Sequence, residues 1–215
     1  MDGNKNETID KFDKVDVSLY HLVFIGNTIE NLFKSFNNII GLVEERDETV
    51  IYSGIYSMIL IHTNSYLEEF NNYFISDDPE MREVIISIKK AVKPAIAGLK
   101  NWKDLNGFRN SVLAHNLRRE GNISVFEEGI DTYDIPKGGG DLHVIFSCIQ
   151  MINDVLKSAF GEKLRSIQDK FDKMERPIHK NMFSNEEEVK KEIEKIRLEI
   201  NENILELKKQ AGVGI

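Results

Sequence analysis

The chain has 215 residues, with 28 Lys or Arg against 36 Asp or Glu and a formal net charge of −8. Hydrophobic residues at 41% and charged residues at 30% exclude wholesale disorder, and 4 Pro with 14 Gly are too few for a turn-dense all-β fold. The acidic balance excludes a broad surface that coats nucleic acid through bulk charge, and leaves room for one small basic site.

The single cysteine, Cys148, excludes an internal disulfide and a CxxC metal site. Among Val144, Ile145, Phe146 and Ile149 it reads as a small buried hydrophobe. Met1 to Asp10 is polar and has no apolar stretch of the signal-peptide kind. No run approaches the roughly 20 apolar residues that cross a bilayer. The expectation is a cytoplasmic protein that makes no use of a membrane.

Residues 1–12 are polar and predicted to fray. From about Val15 to Glu45, apolar residues recur at Leu22, Ile25, Ile29, Phe33, Phe36 and Ile40, the steps of three and four of an amphipathic helix. Asp47 reads as the cap of a second helix reaching Phe74, with Ile51, Ile55, Ile59, His62, Tyr66 and Phe70 on its stripe. Asp78 followed by Pro79 predicts a cap and a first helical position for the third helix. Pro94 should kink or break that helix before Ala95 to Trp102 resumes it.

A fourth helix with Leu105, Phe108, Val112 and Leu113 is predicted to reach His115. Beyond it, Ile123–Phe126 and Thr132–Ile135 flank Glu127-Glu128-Gly129 and suggest a short β-hairpin inside a long segment, 117–140. Gly138-Gly139-Gly140 reads as a flexible joint, with Asp141 capping a fifth helix to Lys173. After Pro177, Ser184 or Asn185 opens a last helix ending near Gly212. Its Val189, Ile193, Ile196, Ile200, Asn203 and Leu207 form a heptad seam. The fold class is therefore all-α, an up-and-down helical bundle with a hairpin insertion and a C-terminal amphipathic helix. Two parts are expected: a bundle domain over 1–176 and a helical arm over 177–215.

One motif carries chemistry: Phe108-Arg109-Asn110-Ser111-Val112-Leu113-Ala114-His115-Asn116. Cleaving RNA without a metal needs a group near neutral pKa to move protons at the 2′-hydroxyl or the leaving oxygen, which suits histidine. It also needs a fixed planar cation for the charge growing on the phosphoryl oxygens, which suits arginine. Asn110 could orient the arginine or donate to the phosphate. A spacing of six turns about 600° on a helix, leaving the two side chains about 120° apart, a gap that two facing helices in a dimer would close. The structural alternative pairs Arg109 with an acid such as Asp104 and makes His115 a helix C-cap.

Other residues point less far. His21, His62 and His143 sit among apolar neighbours and read as core histidines, and His179 as a solvated loop residue. Trp102, Phe108, Phe126 and Tyr133 are placed to stack bases or to fill the core, and the core is the expectation. No HExxH or CxxC pattern supports a metal site, and no cofactor motif is present.

The segment Arg109-Asn110-Ser111-Val112-Leu113-Ala114-His115, in a nearly all-helical chain, resembles the signature of the HEPN superfamily, the Arg-x4–6-His helical ribonuclease domains. This version is similar to HEPN proteins of abortive-infection and toxin type. The resemblance implies a HEPN-like bundle that forms a homodimer, with Arg109 and His115 of both subunits lining one cleft. It implies metal-independent endonucleolytic cleavage of RNA in a toxin–antitoxin or phage-defence setting, with an antitoxin as a further partner. Asn110 matches the polar residue that follows the arginine, while Asn116, Arg118 and Arg119 would add RNA contacts beside His115. The reading from a different class is a non-catalytic interaction domain that pairs through its last helix, with itself or with another protein.

Overall fold

The chain is helical where its apolar residues recur every three or four positions. The computed structural model describes residues 12–39, 45–110, 118–119, 122–123, 133–174 and 185–210. Among these, α1 is Lys14–Ile39, α2 Glu45–Glu68, α3 Pro79–Ala91, α4 Lys93–Leu99, α5 Leu105–Phe108, α6 Gly139–Lys173 and α7 Glu186–Gln210. A π-helical turn, Glu69–Tyr73, extends α2. The fold is an all-α helical bundle, and contacts divide the chain into two units, Met1–Lys173 and Met174–Ile215. Among the described residues no helix is long and apolar enough to cross a membrane.

Two aspartates open α1 reciprocally. The Asp16 N–H donates to Asp13 Oδ1 at 2.6 Å, and the Asp13 N–H donates to Asp16 Oδ2 at 3.4 Å. Both bonds satisfy amides that a helix start leaves orphaned. Lys163 of α6 reaches the same pair, 2.6 Å from Asp16 Oδ1 and 3.1 Å from Asp13 Oδ2. Of the predicted stripes, Leu22, Ile29, Phe33 and Phe36 of α1 and Ile59 and Tyr66 of α2 are buried, while Ile51 is exposed; Leu19 of α1, Leu60 of α2 and Leu142, Ile145, Ile149, Ile152 and Leu156 of α6 complete the core. The first unit thus centres on α1 packed against α2 and α6, with α4 also on α6.

Two close approaches set that packing. A Cβ on Gly26 of α1 would stand 2.1 Å from Asn153 Nδ2 of α6, so only glycine fits there. The same Asn153, buried among apolar residues, accepts a 2.9 Å hydrogen bond from the hydroxyl of fully buried Tyr66. One amide therefore joins α2 to α6 where α1 crosses closest. A Cβ on Gly98 of α4 would stand 2.9 Å from Cys148 Sγ, which places the buried cysteine in a helix contact, the small-hydrophobe role its neighbours suggested.

The punctuation residues act largely as their chemistry requires. Asp78 accepts from the Met81 N–H at 2.8 Å and Pro79 takes the first position of α3. The helix breaks at Val92, so Pro94 falls in the first turn of α4, where its missing N–H is harmless. Asn185 caps α7, accepting from the Glu188 N–H at 3.0 Å.

Four expectations change. The second helix, α2, begins at Glu45, so Asp47 lies inside it rather than capping it. Gly139 and Gly140 are the first turn of α6, not a joint, and Gly138 accepts from the Leu142 N–H at 3.1 Å. Asp141 lies inside that turn and reaches back to accept from the Lys137 N–H at 2.8 Å. Much of the hairpin proposed for Ile123–Phe126 and Thr132–Ile135 lies outside the described residues. The described ladder is β1 (Arg118–Arg119) against β2 (Asn122–Ile123), antiparallel with Arg118 opposite Ile123 and Arg119 opposite Asn122. The chain from Tyr133 to Pro136 is irregular, because its polar backbone groups are satisfied elsewhere. The Asp134 N–H donates to Asp104 Oδ2 at 2.8 Å, the Asp104 N–H donates to the Asp134 carbonyl at 3.1 Å, and Tyr56 donates to the Pro136 carbonyl.

Candidate active site

The arginine of the motif stands at the end of α5. Buried Leu105 and Phe108 anchor this short helix, and Phe108 meets Tyr133 edge to face at 5.4 Å. The two rings pack on each other, so neither is a free stacking platform; Trp102 is half-buried against the same core. With Phe108 pinned inward, the chain continues through Arg109 and Asn110 with π-helical hydrogen bonding. Arg109 is half-buried and Asn110 exposed.

Facing them is the end of α2. Its π-helical turn holds Phe70 and Phe74 in the core, ring centroids 5.8 Å apart. That inward anchoring turns Asn71 and Asn72 toward solvent. Such insertions recur at functional sites because they re-aim side chains within an otherwise regular helix. The two π-helical stretches border one open groove. Its walls carry five asparagines (Asn64, Asn71, Asn72, Asn106 and Asn110) together with Leu67, Glu68 and Arg109.

Several of these side chains are held in place. Asn71 Nδ2 donates to the Leu67 carbonyl at 2.6 Å, and its Oδ1 lies 3.4 Å from Lys100 Nζ. Asn110 Nδ2 donates to Asn106 Oδ1 at 3.3 Å, one helical turn away. Arg109 Nη1 stands 3.5 Å from Glu68 Oε2, with 35% and 46% of the two side chains exposed. This is a single, long, solvent-facing contact rather than a two-pronged one, so it restrains the guanidinium weakly. Asp104 is engaged by the Asp134 amide, so the acid beside Arg109 is Glu68 and not the Asp104 considered from the sequence.

Chemically, the groove offers a planar cation, a carboxylate and a row of amides. Each amide presents both donors and an acceptor, the combination that meets phosphate oxygens and base edges alike. Among the described residues no group of three or more His, Cys, Asp or Glu is placed to hold a metal ion.

Of the candidate residues, Arg109 and Asn110 come together in this groove. His115 and Asn116 lie outside the described residues. For Arg118 and Arg119 the backbone pairing in β1 is described, while their side chains lie outside the described set. Glu68 and the asparagines on α2 escaped the motif reading. The available signal was asparagine, a poor helix former, recurring at helical spacing at 64, 71 and 72, and again at 106 and 110.

The other histidines depart from the core reading. His21 is half exposed, with Nδ1 3.5 Å from Glu69 Oε2, because it falls between the buried positions Leu19 and Leu22 and points outward. His143 is exposed, tilted on Phe33 at 5.7 Å. His62 is half-buried, and burial holds its imidazole below the ordinary histidine value. His179 and Phe126 lie outside the described residues.

Compared with known family models, with curated proteins and with solved structures, the chain matches none.

Proposed function

We propose that this protein is a metal-independent RNA endonuclease of HEPN-like type, acting through Arg109 and His115 with Asn110 in support. One observation carries the reading: the motif arginine opens onto a solvent-accessible groove lined by five amide side chains. A phosphodiester entering the groove exchanges the weak Glu68 contact for a charge-assisted one to the guanidinium. Asn110, one turn from Asn106, donates to the same phosphate. Oxygen 2′ then attacks phosphorus, His115 takes the 2′-hydroxyl proton, and the P–O5′ bond breaks as the 5′-oxygen takes a proton from water. The products are a 2′,3′-cyclic phosphate and a free 5′-hydroxyl.

The spacing of Arg109 and His115 favours a homodimer in which two motif helices face one another across the cleft. Arg118, Arg119 and Asn116 follow the histidine directly and extend the contact to neighbouring phosphates. A toxin or phage-defence role, held in check by an antitoxin partner in the cytoplasm, accords with such an activity.

The chemistry requires a 2′-hydroxyl. Incubation with RNA and with a single 2′-deoxy substitution at the cut position tests it. Cleavage of the RNA alone, leaving cyclic phosphate ends, is the result expected. Equal cleavage of both substrates contradicts in-line attack by the 2′-oxygen.

The observation that favours the non-catalytic alternative is that Arg109 already has a carboxylate partner, Glu68, so the arginine need not await a phosphate. In that reading the protein binds through its last helix and cuts nothing.

A further inference from the structure

The last helix, α7, is the one described element of its unit, so no other described element of that unit covers its apolar stripe. Ile193, Ile196, Ile200 and Ile204 are 54%, 47%, 52% and 43% exposed. A lone helix of this kind is marginal in water until its stripe is buried. In the heptad that the seam defines, Ile193 and Ile200 take a positions and Val189, Ile196 and Asn203 take d. The flanking positions then differ in charge: Glu192, Glu199 and Glu206 at g, and Lys190, Arg197 and the apolar Ile204 at e, so that the one g–e ion pair a parallel partner can form is Glu192 with Arg197.

That difference discriminates between orientations. Antiparallel pairing sets g against g and e against e, so glutamates would face glutamates and cations would face cations. Parallel, in-register pairing sets each g against the e of the next heptad, so Glu192 meets Arg197 of the partner subunit, twice by symmetry. In the single helix these two residues have only exposed local contacts, Arg197 with Glu194 at 3.3 Å and Glu192 with Lys195 at 3.6 Å, which exchange readily. Asn203 argues the same way. In parallel register it meets Asn203 of the partner subunit, amide to amide, whereas an antiparallel partner would set an apolar side chain against it.

We propose that Glu186–Gln210 pairs with a second copy of this chain as a parallel, in-register coiled coil, oriented by Glu192 with Arg197 of the partner subunit and registered by Asn203. The pairing stands independently of RNA cleavage, and its test reads mass rather than activity. Sedimentation of the full-length chain should show self-association, weakened by roughly tenfold in Glu192→Lys and in Arg197→Glu. Mixing those two variants should restore association, because both 192–197 pairs between unlike copies are then attractive. Asn203→Cys should form a covalent dimer on mild oxidation, while the wild type, whose Cys148 is buried, should not. A monomeric wild type, single variants that associate as tightly as wild type, or Asn203→Cys that stays uncrosslinked would overturn the proposal.

Discussion

Glu68 and Arg109 meet at 3.5 Å with both side chains in reach of water, and that weakness is what an exchangeable phosphate site requires. The carboxylate competes with any incoming anion. Glu68→Gln is therefore expected to tighten RNA binding by a few-fold at low salt, an effect that fades as salt screens the groove. Fluorescence anisotropy with labelled RNA checks it, and weaker binding would mean that Glu68 positions the arginine instead. Deeper in the bundle a single amide has the opposite character. Asn153 cannot be exchanged, because Tyr66 donates to it and Gly26 leaves it room. Asn153→Ala strands a buried hydroxyl and should cost about 2–3 kcal/mol. Adding Tyr66→Phe should recover part of that loss, since it removes the orphaned donor. Gly26→Ala should cost about as much or more, by driving a methyl group into the amide. Thermal denaturation of these three variants and of Tyr66→Phe alone measures the coupling.

At the scale of an element, the start of α1 is tied to α6 by the Asp13, Asp16 and Lys163 cluster. Burial pushes the Asp13 carboxyl up, but the Asp16 N–H and Lys163 more than reverse this and hold it below its ordinary value. Burial pulls Lys163 down, and the two aspartates more than compensate and raise it. The depressed Asp13 contributes stability that is present above the ordinary aspartate value and is lost as pH falls through its lowered one. The raised Lys163 contributes stability that is present below the ordinary lysine value and is lost as pH rises through its raised one. The tie is therefore intact between pH of about 5 and 10. Lys163→Met should lower stability by about 1–2 kcal/mol at pH 7, less below pH of about 3 and less in strong alkali. Denaturant melts across pH test this, and a loss independent of pH would assign the lysine a packing role alone. The π-helical turn Glu69–Tyr73 matters for a different reason. Phe70 and Phe74 fix its inner face, so the groove asparagines on its outer face keep their direction only while that extra residue is present.

Across the whole molecule, the helical architecture was readable because burial follows period. Leu22, Ile29, Phe33 and Phe36 on α1 and Ile59, Tyr66 and Phe70 on α2 are buried where their spacing puts them. Asp78 with Pro79 and Asn185 mark helix starts because their side chains bond the nearby amides wherever the fold places them. The glycine run at 138–140 misled, since a first helical turn needs no side chain and Gly138 is an adequate N-cap. His21 and His143 misled because a neighbour in sequence is not a neighbour on a helix face. The groove was half readable: Arg109 and Asn110 stood out as a motif, but their juxtaposition with Glu68 and Asn71 depends on a π-helical turn that leaves no periodic signature. The central claim, that Arg109 and His115 cut RNA without a metal, is tested most directly by incubating purified protein with RNA in EDTA. The account predicts cleavage that falls by at least about 100-fold in both Arg109→Ala and His115→Ala while the far-UV spectrum stays native. Cleavage that survives both substitutions, or no cleavage by the wild type, would contradict it.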